Sequence, residues 1–517
     1  MQCEGRESTA RLCTIYKEYK EQNTKDTIQG NGKAWSMKPV DKKSLEKTRK
    51  HKQTAWIVTG LCVACFAAGV SVPLLMDAHK SDDLAKVENI YGLLKDRWFY
   101  GNQVEDLDSR LAEQAIAGMT TLEEDPHTNY FNLEEAKAFS QSLAGSNVGV
   151  GISFYRNADD EMTVRDVFLD STADKAGLRT GDVLVKVGTK ETKGLPNEEI
   201  TQTIQNYEGQ KLPVEVRRGD ELLTLTLEPG EYDSTVVCET VDGIGIIDLS
   251  SFSENSGREF TSAVKKLESQ GVRNVIIDLR GNTGGYLSAA KDISEVLLPK
   301  DSVIFQEKDK DGNIQKLKTE QEGQADFDHI VILQDGSSAS ASEVLIGALK
   351  DNLDNVTTVG TQTYGKGTEQ VSVPFTDGTS LKYTIAEWLT PSGESINRTG
   401  FAPDVEVGLS PVRTVTYPGM EEGEVIVADS VNDNAGALQL FLQYLGYEVD
   451  RTDTYFDAAG SEALRRFQAD HGLEPTGEAD KETFDQIADL TLIRIYESEK
   501  SDDAQRNRAL EILSSGE

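Results

Sequence analysis

The chain has 517 residues, 38% of them hydrophobic and 27% charged, and a formal net charge of −35. That length exceeds what one hydrophobic core can organise and calls for three or four units. The negative balance argues against nucleic-acid binding, which needs a basic footprint for phosphates; no His/Glu ligand spacing suggests a metal, and no cofactor is expected.

Charge is unevenly placed along the chain. Residues 1–53 carry thirteen Lys/Arg against seven Asp/Glu, a net of +6. The 23 residues 54–76 that follow hold no charge at all. A spanning helix needs about 20 mostly apolar residues, so this segment is predicted to cross a membrane. Lys47, Arg49, Lys50 and Lys52 on its N-terminal side place that side in the cytoplasm. The upstream segment is long for a signal peptide, and no small-x-small cleavage site precedes Asp77, so a retained anchor is expected. The predicted localisation is a single-pass cell-membrane protein, N-terminus cytoplasmic, with residues 77–517 outside. Cys238 is then the one exported cysteine, which excludes an internal disulfide framework.

Residues 77–143 read as a helical cap, with Leu84, Val87, Ile90, Leu93 and Leu94 at helix spacing, then Leu111, Ala115 and Met119. Residues 144–230 read as a PDZ-like β module. Gly149, Val150, Gly151 and Ile152 form a glycine-containing loop entering a strand, and Ser171 to Leu178 and Gly181 to Leu184 follow. Such a loop exposes successive amides to a peptide's terminal carboxylate while the strand edge pairs with the peptide backbone. The alternative is a glycine bulge in an ordinary small β domain.

Residues 231–415 carry the chemistry. The apolar run Ile330 to Leu333 leads into Ser337-Ser338-Ala339-Ser340-Ala341-Ser342-Glu343, and Val356 to Val359 precedes Tyr364-Gly365-Lys366-Gly367-Thr368-Glu369-Gln370. A strand, a turn of small residues and a helix present a hydroxyl at an amide-rich corner. Only His127 and His329 could serve Ser340 as an imidazole base, and neither lies in a catalytic-looking context. A Ser/Lys pair, Ser340 with Lys366, is the economical reading, with Gln370 orienting the amine. A lysine base must lose its proton near neutral pH, which burial among apolar neighbours favours. The strand Val275 to Asp278 ends in Leu279-Arg280-Gly281-Asn282-Thr283-Gly284-Gly285; an amide of Gly284 or Gly285, together with that of Ala341, would form an oxyanion hole. A phosphate loop is excluded because no Gly-Lys-Ser or Gly-Lys-Thr triplet follows.

Over about residues 85–410 the chain resembles the carboxy-terminal processing peptidases, or tail-specific proteases. The resemblance rests on Gly118-Met119, Asp125 to Tyr130, the PDZ-like segment, Asp278-Leu279-Arg280, the Ser340 and Lys366 motifs, and Pro391 through Asp404. It implies a mixed α/β (ClpP/crotonase-like) core, a Ser340 nucleophile, a Lys366 base assisted by Gln370, and a homodimer formed through the cap helices. Thr283 stands where proline is usual, Glu369 where an apolar residue is usual, and the Ser-to-Lys connection is one residue longer.

Residues 430–490 show Leu438, Leu442 and Leu445 before Gly446-Tyr447, then Phe467-Gln468, Gly472-Leu473 and Thr483-Phe484. They resemble the small three-helix peptidoglycan-binding domain, and a helical domain without a ligand is the alternative. A charged tail, 491–517, closes the chain. The expected fold is α/β multidomain, and the expected function is a membrane-anchored serine endopeptidase of the bacterial envelope that binds protein C-terminal tails and cleaves them. The alternative is a PDZ and wall-binding adaptor with a latent or partner-activated protease core; a cell-wall hydrolase is more distant.

Overall fold

Long apolar runs such as Val275-Ile276-Ile277 and Ile330-Val331-Ile332-Leu333 are too hydrophobic to keep one face wet, and they become the inner strands of a sheet covered on both sides. The computed structural model describes residues 82–498 and 502–515. The chain divides into two units, residues 1–109 and 110–517. The predicted span 54–76 lies outside the described residues; among those described, no helix is long and apolar enough to cross a membrane.

In the first unit the helix Asp82–Arg97 buries none of its residues, and Leu84, Val87, Ile90 and Leu93 remain exposed along one stripe.

The second unit begins its ordered modules with an antiparallel sheet of strands Ile152–Arg156, Met162–Val167, Val183–Val187, Leu212–Arg218 and Glu221–Leu227. The helix Asn197–Gln205 packs Ile200 and Ile204 into its core beside Met162, Leu184 and Leu212.

The central sheet runs in the order 236–241, 244–249, 274–278, 329–334, 356–360, 405–406. Its first pair is antiparallel and the rest are parallel. Helices Ser256–Ser269, Leu287–Leu297 and Ala341–Asn352 cover one face, burying Phe260, Ile293 and Leu345 against Ile277 and Ile332. The other face carries Ile246, Ile276, Val331, Leu333 and Val359, and its cover comes from the far end of the chain. Helix Ala504–Ser515 lays Ala509, Ile512 and Leu513 on it. This helix lies within the stretch 491–517 expected as a charged tail. Arg506, Arg508 and Glu511 do supply charge, but the apolar residues beside them face the sheet.

A second, antiparallel sheet joins strands Asn129–Phe131, Ser380–Leu389, Val303–Asp309 and Ile314–Lys318, with Thr368–Pro374 paired to the long strand 380–389. Farther on, helices Ala435–Leu445, Ala458–Asp470 and Lys481–Ser498 enclose a small core of Leu438, Leu442, Phe467, Phe484 and Ile487. Gly446, at φ +103°, ends the first of these as a left-handed cap.

Deleting residues 504–515 uncovers Ile276, Val331 and Leu333. The expected result is aggregation or a marked fall in the melting temperature. Leu513→Ala alone should destabilise the core by about 2–3 kcal/mol, measured by denaturant unfolding. Parent-like melting of both variants would contradict this packing.

Candidate active site

Ser340 sits where the strand His329–Gln334 gives way to the helix Ala341–Asn352, with φ 56° and ψ −114°. A serine is strained there, and such backbone persists only where its surroundings over-determine it. The surroundings are visible. Ser338 Oγ donates to Leu279 O (2.8 Å), Ser342 Oγ donates to Asn282 O (2.8 Å), and Ala339 N donates to the same carbonyl (3.1 Å). The serine turn is thereby stitched to the glycine-rich turn that follows strand 274–278.

Glu343 connects this turn to the lysine. Its carboxylate is fully buried. Oε2 accepts from Ser340 N (2.9 Å) and Lys366 N (2.8 Å), while Oε1 accepts from Gly365 N (2.7 Å) and Thr363 Oγ1 (2.6 Å). Four donors satisfy a buried charge that would otherwise be costly. Trp388 Nε1 donates to Lys366 O (2.9 Å), so the lysine backbone is held at both its amide and its carbonyl.

Ser340, Lys366, Gln370, Gly284 and Gly285 all line one cavity of about 1180 Å³. Its apolar wall includes Leu133, Phe139 and Leu143 from the cap helix Leu133–Ala144, with Phe252, Tyr286 and Leu287 opposite. Burial pushes the Lys366 amine below its ordinary pKa of 10.5; the positive charge of Lys382 adds to this, and Glu343 opposes it.

Gly284 lies directly against the serine: a Cβ there would stand 2.8 Å from Ala339 O and 2.9 Å from Ser340 Cβ. Its amide, however, donates to Asn282 Oδ1 (2.9 Å). Of the two predicted glycine donors, Gly284 is therefore already engaged, and Gly285 is the one whose amide has no hydrogen-bond acceptor among the described residues. The amide of Ala341 is likewise unengaged among them.

Gln370 Nε2 donates to Thr368 Oγ1 (2.9 Å) and Thr384 Oγ1 (3.2 Å), and Thr384 Oγ1 passes a hydrogen bond to Asp125 Oδ1 (3.1 Å). Asp125 also accepts from Thr128 Oγ1 (2.6 Å) and from His127 N (3.1 Å). The segment Asp125 to Thr128, set in the cap by the sequence, thus supports the glutamine of the core. His127, which looked uncatalytic in sequence, lies within electrostatic reach of Lys366; burial first, and then that lysine, hold its imidazole below the usual range. His329 opens its strand in an exposed position.

Sequence reasoning missed Glu343, Asn282, Thr384 and Asp125 as site-building residues. A glutamate three residues after Ser340, at the start of a helix, is a capping signal that could have drawn attention to the first. These contacts of the other three span between 14 and 259 residues of chain, beyond any local pattern.

The loop Gly149 to Ile152 is not part of this cavity. It enters the strand Ile152–Arg156 of the first β module, with Gly151 at φ +82° packed on Ser171. The carbonyls of Val150 and Gly151 accept from Ala173 N and Phe168 N (both 3.0 Å), whereas the amides of Val150 and Gly151 have no acceptor among the described residues.

A strained serine sharing a cavity with a half-buried lysine, on an α/β core that carries a PDZ-type module, defines a class of serine peptidase. Comparison with known proteins agrees. A family model described as Peptidase family S41 matches residues 243–407, a PDZ domain model matches 148–228, and a peptidoglycan binding domain model matches 432–487. The probable CtpA-like serine protease of Staphylococcus aureus (strain bovine RF122 / ET3-1) is 31% identical over 429 residues, covering 82% of this chain and 84% of that protein. Its counterpart in Staphylococcus haemolyticus (strain JCSC1435) is 29% identical over 471 residues, with 88% and 93% covered. A solved photosystem II D1 C-terminal processing protease is 24% identical, covers 64% of this chain and 94% of its own, and has a TM-score of 0.37. The chain belongs to peptidase family S41, among the CtpA-like serine proteases.

Glu343→Gln leaves the volume but turns an amide donor toward sites that hold only donors. Hydrogen bonds to a charged group are worth about 1.5–3 kcal/mol each, so losing one, with its full value expressed in the barrier, should lower kcat by roughly ten- to a hundred-and-fifty-fold. Steady-state kinetics on the folded variant checks this, and unchanged kcat would contradict it. Because the charged form of Lys366 is disfavoured, its free amine appears at lower pH than for an ordinary lysine. If that amine is required, kcat/KM should rise with pH along a limb lying below 10.5.

Proposed function

We propose that the protein is a membrane-anchored endopeptidase of the bacterial envelope, in which Lys366 deprotonates Ser340 and Ser340 attacks a peptide carbonyl. The amides of Ala341 and Gly285 hold the oxyanion, Gln370 orients the lysine amine, and water releases the acyl-enzyme. The observation that carries this reading is the Glu343 carboxylate, which binds the backbone amides of both Ser340 and Lys366 through one oxygen beside a shared cavity.

The substrates in this reading are unstructured protein C-termini with an apolar last residue, captured by the loop Gly149 to Ile152. The unengaged amides of Val150 and Gly151 support it, since a terminal carboxylate needs such donors. Binding energy from the captured tail is then available to position the scissile bond in the cavity. The uncharged stretch 54–76 anchors the chain with its N-terminus in the cytoplasm and the catalytic region outside. The exposed Leu84, Val87, Ile90 and Leu93 stripe supports a homodimer through the cap helices, and the match at residues 432–487 supports attachment to peptidoglycan.

The test is cleavage of an unfolded reporter bearing an apolar C-terminal tail by the full-length protein, beside Ser340→Ala and Lys366→Ala. The parent should cut, and each variant should lose at least about a thousandfold in kcat. Tail binding without cleavage by the parent would favour the adaptor reading. Cleavage by Lys366→Ala would remove the lysine from its role.

A further inference from the structure

A second lysine, Lys382, lines the same cavity as Ser340 and Lys366. It lies on strand Ser380–Leu389, opposite Asn129 on one side and Ser372 on the other. Side chains two apart on a strand share a face. Lys382 therefore points with Thr384, which receives Gln370. The Lys382 ammonium rests over the rings of Phe131 (5.4 Å) and Phe139 (5.2 Å), from the cap strand and the cap helix, and no carboxylate lies within ion-pair distance of it among the described residues.

Two amines lining one cavity cannot both be charged without mutual cost, and the Lys382 charge disfavours that of Lys366. What surrounds each amine decides which gives up its proton. Burial lowers the Lys382 amine from its ordinary value, but the negative charge of Asp125 opposes this, and two aromatic faces attract its cation. Lys366 has Glu343 in its favour, but that carboxylate is already committed to four donors. The remaining ionisable groups about the pair are His127 beside Asp125, Lys137 on the cap helix, Tyr286 before the helix Leu287–Leu297, and Glu369 on the strand that follows Lys366.

We propose that Lys382 is a positioning residue of the active site: its ammonium, seated on Phe131 and Phe139, stays charged and thereby keeps Lys366 in the free-amine form that can accept the serine proton. The inference rests on Lys366 being the base. Cap and core are thereby coupled, because the two rings that hold Lys382 belong to the cap.

The test measures kcat/KM against pH, from about pH 6 to 10, for full-length parent, Lys382→Met, Lys382→Gln, Lys382→Arg and Lys366→Ala on one fluorogenic peptide, with melting temperatures alongside. Removing the Lys382 charge should move the acid limb of Lys382→Met and Lys382→Gln up by about one pH unit, a roughly tenfold loss of rate on the limb that vanishes above it. Lys382→Arg should overlay the parent. An unshifted limb in either neutral variant that melts like the parent overturns the proposal, as does a loss of equal size at every pH or an arginine variant that behaves like the methionine one. Activity remaining in Lys366→Ala would instead remove the underlying dyad, whereas an inactive Lys366→Ala beside an unshifted Lys382→Met removes only the role of Lys382.

Discussion

One buried carboxylate organises the catalytic region. Glu343 leaves the first turn of its helix with both oxygens occupied, two donors on each, and those donors come from the serine turn and from the loop Thr363 to Lys366. A carboxylate removed from water needs such donors to be tolerable, so the requirement runs both ways. Glu343 fixes the two turns, and the two turns make the burial of Glu343 possible. The strained backbone of Ser340 is affordable only inside that framework, where its amide is held by Glu343 and the neighbouring residues Ser338, Ala339 and Ser342 are held by Leu279 and Asn282.

The two sheets divide the labour. The parallel sheet ends its strands at the serine and glycine turns, as open α/β sheets commonly do with their functional loops. The antiparallel sheet carries Gln370, Lys382 and Thr384, and it pairs directly with the cap through Asn129 to Phe131. A cavity built where they meet takes its apolar wall partly from the cap helix. The low polarity of that wall is what makes a neutral lysine attainable, because desolvation disfavours the ammonium. A hydrogen-bonded path from Gln370 through Thr384 to Asp125 ties the same cap to the same site.

The last helix of the chain completes the core. Strands Ile244–Leu249, Asn274–Asp278, His329–Gln334 and Val356–Gly360 offer an apolar face opposite their crossover helices, and Ala509, Ile512 and Leu513 cover it. Arg280, which follows the strand bearing Asp278, is bound to that aspartate (2.6 Å) and to Asp503 (2.8 Å) just before the helix begins. Largely removed from solvent, this charge cluster is satisfied within itself, and it fixes the C-terminal segment beside the glycine-rich turn.

Much of this was legible in the chain alone. Short apolar runs ended by Gly-rich or Ser-rich turns announced parallel strands with functional ends, and the motifs around Ser340 and Lys366 announced a peptidase, because local chemistry dictates strand, turn and helix start. The loop Gly149 to Ile152 and the helical character of residues 435–490 were readable for the same reason: each depends on neighbours in sequence. Tertiary structure alone decided the rest. It engaged Gly284 with Asn282 and left Gly285 open, set Asp125 behind Gln370, laid residues 504–515 on the central sheet, and put Lys382 into the cavity with Lys366. Each of these depends on groups brought together from distant parts of the chain or on the direction of a single N–H, and a one-dimensional pattern records neither.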